Sequence, residues 1–138
     1  MVLEGKIWKD KKHWLIEVPA LDIMTQGYSR HEAFSMLRNA IALLCDQKGF
    51  RLSIRSYDQN TFVVGAKNEK ALLALMLKRQ RAKHNLSIAG MAEKLHVKSK
   101  NTYAQYEQGR NQPSFGKVQE FLTAMNPKAV FAFTVLEG

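Results

Sequence analysis

The chain has 138 residues, of which 46% are hydrophobic and 24% charged, so it can bury a core and does not belong to the disordered class. No stretch approaches the ~20 consecutive apolar residues of a membrane helix. The charged start, VLEGKIWKDKKHW, lacks the apolar region of a signal peptide, so we expect a soluble, cytoplasmic protein. The single cysteine, Cys45, excludes an internal disulfide and is expected to be buried as a small hydrophobic residue.

The net charge of +9 is distributed unevenly along the chain. Residues 1–66 carry nine Lys/Arg against seven Asp/Glu, whereas residues 67–138 carry twelve against five. Excess positive charge suits a phosphate-binding surface, although basic surfaces also serve simply to keep proteins dissolved. The distribution therefore favours nucleic-acid binding by the second half.

The first half begins with strand-like runs. Residues 2–8 and 13–18 predict a hairpin with a charged turn, and Pro19 ends its second strand because proline has no amide to donate. A brief third strand is expected within residues 21–27.

A helix follows, with Ser29 as its N-cap and Glu32 completing a capping box. Its apolar residues recur at helical spacing, and we expect it to end near Gly49. Residues 50–56 alternate as a half-buried strand does, and the apolar run 61–65 is a candidate for one more. The order indicates an α+β fold in which one helix packs on a small sheet.

The second half is predicted to be a helical bundle. A first helix is expected from about residue 69 to residue 83, and another after Pro113. Alternation in the tail predicts a final strand over residues 130–136, paired either with the sheet or with another copy of the chain.

The domain boundary is placed at residue 66. Domains 1–66 and 67–138 are expected to be closely joined, because no Ser/Gly-rich linker separates them.

Two short helices are predicted within residues 86–113. The first has a single apolar face, and in the second Tyr103 and Tyr106 lie three residues apart and share a face. Two short helices joined by a tight turn are typical of a helix-turn-helix, so we predict that this segment binds double-stranded DNA.

Polar residues on the outer side of the second helix and near the helix starts are the candidate DNA contacts. Lysine suits guanine O6 and N7, asparagine and glutamine suit adenine, and serine at a helix start suits phosphate. Plain solvation of an outer helix face is the simpler alternative. The candidates are Ser87, Ser99, Lys100, Asn101, Thr102, Gln105, Arg110 and Asn111.

Over residues 70–125 the chain resembles the XRE/Cro-type helix-turn-helix family. The resemblance is carried by Arg81, by LSxxxMAEKL, by YxxYExGR and by Pro113. It implies a structural ion pair between Arg81 and Glu107 that locks the bundle. His96 replaces the glycine usual in the turn, which is one residue longer here, so we expect strain at His96 or a different turn path.

Over about residues 3–55 the chain resembles the HicB antitoxin family, through GKIWKDKKHWLIEVPALDIMTQGYSRHEAFSMLRNAI. Ile23 and Met24 stand where members commonly have Gly-Cys. The resemblance implies a partial RNase-H-like fold and an antitoxin of a type II toxin–antitoxin pair. Such a protein neutralises a HicA-like mRNA-cleaving toxin and represses its own operon. The alternative is a stand-alone helix-turn-helix regulator with a ligand-sensing N-terminal domain.

The candidate toxin contacts are Trp8, Trp14, Glu17 and Asp22, because aromatic residues anchor interfaces and carboxylates would oppose a basic partner. The alternative is that Trp14 is a core residue and that the two carboxylates are ordinary surface groups. For DNA binding we expect a homodimer or a higher oligomer, since paired half-sites need two recognition helices.

Catalysis is not expected. Metal-dependent nucleases need several converging carboxylates, and the first half has no DxD pair. The four histidines show no metal-ligand spacing. We therefore predict no catalytic residue, no metal and no cofactor.

Overall fold

The computed structural model describes residues 1–130, 132 and 135–137. Its class is α+β with an N-terminal antiparallel sheet, as predicted, and none of the helices in this part of the chain could span a membrane. The elements are β1 (Leu3–Asp10), β2 (His13–Val18), a 3₁₀ turn (Pro19–Leu21), β3 (Ile23–Gly27), α1 (Arg30–Leu44), β4 (Leu52–Ser56), β5 (Thr61–Ala66), α2 (Glu69–Lys83), α3 (Ile88–Lys94), α4 (Asn101–Glu107) and α5 (Phe115–Met125).

The five strands form one antiparallel sheet in the order β3-β2-β1-β5-β4. The predicted hairpin and third strand are confirmed, and Ile7 lies opposite Ile16 in the hairpin register. Both isoleucines are fully buried on the face that α1 and α2 cover. One sheet face therefore forms the main core, as the alternation in the strands predicts.

Helix α1 begins as predicted, with the Ser29 Oγ accepting a hydrogen bond from the Glu32 amide at 3.0 Å. It buries Ala33, Leu37 and Ile41 against the sheet. The predicted end near Gly49 was wrong by five residues. Cys45 already has extended backbone angles and turns its buried side chain into the core, which ends the helix at Leu44.

Helix α2 is buried around its whole circumference over residues 71–77. One side joins the core beneath the sheet, while Leu77 belongs to a second, smaller core with residues of α3, α4 and α5. A helix that is covered on two sides is apolar around its whole circumference, so Ala71 and Ala74 are buried together with the leucines of this helix. Helix α2 thus opens the second predicted domain and contributes to the core of the first.

Two neighbouring residues of α2 hold the 3₁₀ turn. Arg79 donates from Nε to the Leu21 carbonyl at 3.0 Å and from Nη2 to the Asp22 carbonyl at 2.6 Å. Gln80 Nε2 donates to the carbonyls of Pro19 and Ala20 at 3.2 and 2.9 Å. The four successive backbone carbonyls of residues 19–22 are therefore all bound by two adjacent side chains of α2.

The C-terminal strand predicted over 130–136 falls on a segment of which residues 131, 133 and 134 lie outside the described residues. Val130, Ala132, Val135 and Leu136 are described and belong to neither a helix nor a strand. The strand stays a prediction.

Candidate nucleic-acid interface

Helices α3 and α4 and the turn between them have the helix-turn-helix arrangement. The Ser87 Oγ caps α3 by accepting from the Gly90 amide at 2.9 Å. The helix ends through His96, whose φ of 58° is the left-handed value expected for the position that usually holds glycine. The Ser99 Oγ accepts from the Asn101 amide at 3.2 Å where α4 begins.

The inner face of α4 is fixed by aromatic packing. Tyr103 is fully buried, and its ring meets Phe121 of α5 edge-on with the centroids 5.1 Å apart. Tyr106 lies 5.2 Å from the same ring. Burial raises the pKa of Tyr103, and the nearby Glu107 carboxylate adds to the shift, so the hydroxyl stays neutral. The rotation of α4 about its axis is therefore set by this contact.

Arg81 and Glu107 form the ion pair that the family resemblance implies. Arg81 Nε lies 2.9 Å from Glu107 Oε2, and Nη2 lies 2.6 Å from Oε1. The two side chains are 17% and 6% exposed. The hydrogen bonds to Glu107 outweigh partial burial and raise the pKa of Arg81.

A third donor of the same guanidinium, Arg81 Nη1, reaches the Leu86 carbonyl at 2.7 Å. One side chain thus joins the ends of α2 and α4 to Leu86, two residues before α3 begins. Such a forked, partly buried contact fixes the angle between the helices.

The candidate DNA contacts lie at the surface around α4. Seven are exposed, and Gln105 is half-buried. The exposed ones are Ser87, Ser99, Lys100, Asn101, Thr102, Arg110 and Asn111. Because the tyrosines occupy the inner face, the polar residues of α4 are directed away from the core.

The structure also joins two of these candidates to each other. Asn111 Nδ2 donates to Gln105 Oε1 at 2.5 Å, and Gln105 Nε2 donates to the Thr102 carbonyl at 3.2 Å. Sequence reasoning missed this contact. Lys98, exposed in the turn just before Ser99, was missed as a further cation, although its charge was the available signal.

The four candidate toxin contacts do not form one surface. Trp8 and Glu17 lie on the sheet face opposite the core, where their cross-strand partners are Leu15 and Lys6. Trp14 is half-buried against the core beneath the Arg30 guanidinium, which lies 5.9 Å from its ring centroid.

Asp22 lies apart from these residues, at the end of the 3₁₀ turn. Its φ is 50°, and its carboxylate is 3.9 Å from Arg79 Nη2. Trp8 and Glu17 therefore remain together as candidates, whereas Trp14 and Asp22 have structural contacts of their own.

Nothing in the described part of the chain brings three or more His, Cys, Asp or Glu side chains together as metal ligands. Burial raises the pKa of the Cys45 thiol, and the neighbouring Asp46 carboxylate adds to the effect. The thiol is therefore protonated at neutral pH, which is the state of a core residue.

Residues 77–128 match the model of the helix-turn-helix family. The matched segment contains Arg81, Glu107 and all eight candidate DNA contacts. Neither a curated protein nor a solved structure matches the chain. The match confirms the helix-turn-helix prediction and indicates a DNA-binding transcription regulator.

Proposed function

We propose that the chain represses transcription by binding an operator with sequence preference through α4. Helix α4 enters the major groove, where Lys100, Asn101 and Gln105 contact base edges. The observation that carries this proposal is the fixed inner face of α4, since Tyr103 packs on Phe121 and leaves the polar residues outside.

Four of the remaining candidates hold the DNA backbone. Ser87, Ser99, Thr102 and Arg110 flank the base-contacting residues and carry groups that donate to phosphate oxygens. Only Arg110 of these four has a formal charge, so its contact releases a counterion and makes affinity depend on salt.

The operator is bound by a dimer in this proposal. Two recognition helices related by a twofold axis fit half-sites about one helical turn apart, which a single copy cannot provide. The apolar tail beyond Pro127 supplies the contact between copies, because Val130 and Val135 are 90% and 85% exposed in the single chain.

More specifically, we propose that the chain is the antitoxin of a type II toxin–antitoxin pair. The sheet region (residues 3–66) binds and neutralises a HicA-like mRNA-cleaving toxin and has no catalytic activity of its own. Support comes from the HicB resemblance over residues 3–55 and from Trp8 beside Leu15 on the sheet face opposite the core. An aromatic and an aliphatic side chain flanked by charges are typical of an interface anchor.

Operator binding is tested by selecting a DNA sequence from a randomised pool with the wild-type chain. Lys100→Ala or Asn101→Ala should then weaken the selected site by ~1–3 kcal/mol and relax its preference at one base pair. Arg110→Ala should instead weaken binding to all DNA sequences equally. It should also reduce the slope of log affinity against log salt concentration by about 1. Lys12→Ala, an exposed lysine in the hairpin turn, is the control. Selection of no preferred sequence would overturn the proposal.

The antitoxin role is tested by co-expression with the product of a toxic neighbouring gene. Wild type should restore growth and form a complex, and Trp8→Glu should abolish both while operator binding persists. Asp46→Ala, an exposed acidic residue outside the sheet, is the control. Without rescue or a complex, the antitoxin role is wrong, and a regulator with a ligand-sensing sheet region is the remaining explanation.

Dimer formation is tested by light scattering on a chain truncated after Pro127. Truncation should lower the mass from that of a dimer to that of a monomer at micromolar concentration. It should also weaken operator binding far more than binding to a single half-site. An unchanged mass would show that the dimer contact lies elsewhere.

A further inference from the structure

Both polar atoms of the Gln105 side-chain amide already make hydrogen bonds within the protein. Its oxygen accepts from Asn111 Nδ2 at 2.5 Å, and its nitrogen donates to the Thr102 carbonyl at 3.2 Å. Glutamine on a helix surface ordinarily samples many rotamers and loses that freedom on binding. Here the ordering is present before DNA arrives.

We propose that Asn111 is a positioning residue for base recognition: it fixes the Gln105 amide in the orientation that reads adenine. This role rests on the proposed operator binding through α4, and it replaces the phosphate contact predicted for Asn111. A residue outside the recognition helix then sets the preference at one base pair of the operator.

The hydrogen-bond inventory determines which way the amide points. The Thr102 carbonyl can only accept, so the nitrogen of Gln105 faces it and the oxygen faces Asn111. One N–H and one oxygen lone pair then remain unused. A donor beside an acceptor complements N7 and the N6 amino group of adenine, whereas guanine offers two acceptors at the same edge.

The backbone explains how Asn111 reaches back six residues. Gly109 has a φ of 72°, a left-handed value that reverses the chain at the end of α4. The Arg110 amide then donates to the Gln105 carbonyl at 3.0 Å, which returns the chain over the last turn of the helix.

Beyond Asn111 the loop is held by two further contacts. Gln112 Nε2 donates to Glu69 Oε2 at 3.1 Å, and Pro113 is buried. The loop that carries Asn111 is therefore attached on both sides, so Asn111 is itself well placed to orient another side chain.

A double-mutant cycle on the selected operator tests this role. Asn111→Ala should weaken operator binding by about threefold to tenfold, the effect of immobilising one long side chain only on binding. Its affinity for unrelated DNA should be unchanged. In a Gln105→Ala background the same substitution should have no further effect, because its target is gone. Asn39→Ala, an exposed asparagine on α1, is the matched control.

A measurement without DNA separates positioning from phosphate contact. In the free protein, Asn111→Ala should increase the nanosecond motion of the Gln105 side-chain amide in ¹⁵N relaxation. Asn111→Ser, whose hydroxyl is a shorter donor, should restore part of the order and of the operator affinity.

Two outcomes would overturn the role of Asn111 alone: equal loss of affinity for operator and unrelated DNA, or additive effects of Asn111→Ala and Gln105→Ala. Unchanged amide motion in the free Asn111→Ala protein would overturn it as well. A wild-type chain without any sequence preference would instead overturn the proposed operator binding.

Discussion

The sheet region (residues 3–66) and the helical region (residues 77–125) are stabilised in different ways. The sheet region has a large apolar core in which Ile7, Ile16 and Leu37 are fully buried. The helical region has a small core and relies on a partly buried ion pair, Arg81–Glu107. Where little apolar surface can be buried, a fixed polar contact contributes more of the specificity of packing.

The two regions also differ in how they position their candidate functional residues. In α4 the contacts of Tyr103 and Tyr106 with Phe121 fix the inner face, so the polar candidates of this helix stay together on the outer side. In the hairpin, Trp8 pairs with Leu15 and Lys9 with Trp14, so odd-numbered residues face the core in β1 and even-numbered ones in β2. Trp8 and Trp14 therefore lie on opposite faces.

The largest expected effect comes from Phe121→Ala, which removes the ring shared by Tyr103 and Tyr106 and should destabilise by ~3–5 kcal/mol. Because the small core depends on this ring, the helical region should unfold before the sheet. Both tryptophans lie in the sheet region, so their fluorescence reports that region alone.

In the Phe121→Ala variant, unfolding followed by circular dichroism should therefore begin under milder denaturing conditions than unfolding followed by tryptophan fluorescence. Phe62→Ala, in the larger core, is the counterpart and should move both transitions together. Coincident transitions in Phe121→Ala would show that α2 couples the two regions into one cooperative unit.

Glu107→Ala should cost about 3 kcal/mol, because it leaves the Arg81 guanidinium partly buried without its partner. Glu120→Ala, which removes an exposed pair with Lys117 in the same region, should cost less than ~0.5 kcal/mol. Denaturant unfolding measures both. A cost below 1 kcal/mol for Glu107→Ala would mean that the helical region does not depend on its ion pair.

Local patterns predicted the elements well, because caps, periodicity and alternation act over a few residues. Ser29, Ser87 and Ser114 each accept the amide hydrogen bond expected of an N-cap. The end of α1 was missed, since burial of Cys45 rather than a glycine ends that helix.

Contacts between residues far apart in the chain were harder to predict from the sequence. The Arg81–Glu107 pair followed from a family resemblance, whereas spacing alone would not assign a partner 26 residues away. The contacts of Arg79 with the 3₁₀ turn join residues 57 and 58 apart in the chain, and a backbone carbonyl leaves no signal in a sequence. For the same reason, the division of Trp8 and Trp14 between faces needed the observed register.

Arg79→Met tests the contact between the two regions. The substitution keeps an apolar stem but removes the donors to Leu21 and Asp22, and we expect a loss of about 1.5 kcal/mol, because a charged donor is lost from a partly exposed site. Lys78→Met, at the exposed neighbouring position of α2, should be nearly neutral. Hydrogen exchange should quicken at the 3₁₀ turn in Arg79→Met alone. Equal effects of the two substitutions would show that the carbonyls need no partner from α2.

The smallest expected effect is a gain. His96 and Lys11 hold φ values of 58° and 56°, one in the turn of the helical region and one in the hairpin of the sheet region. Glycine removes the Cβ strain of that conformation but gives the unfolded chain more freedom, so each substitution should stabilise by about 0.5–1 kcal/mol. Asn85→Gly, at φ 56°, should gain less because asparagine tolerates the left-handed region. Thermal unfolding compares the three variants. A loss of stability in His96→Gly, with a gain in Lys11→Gly, would mean that contacts of the His96 imidazole outweigh the backbone strain. The turn of the helical region would then be determined by this side chain as well as by the backbone.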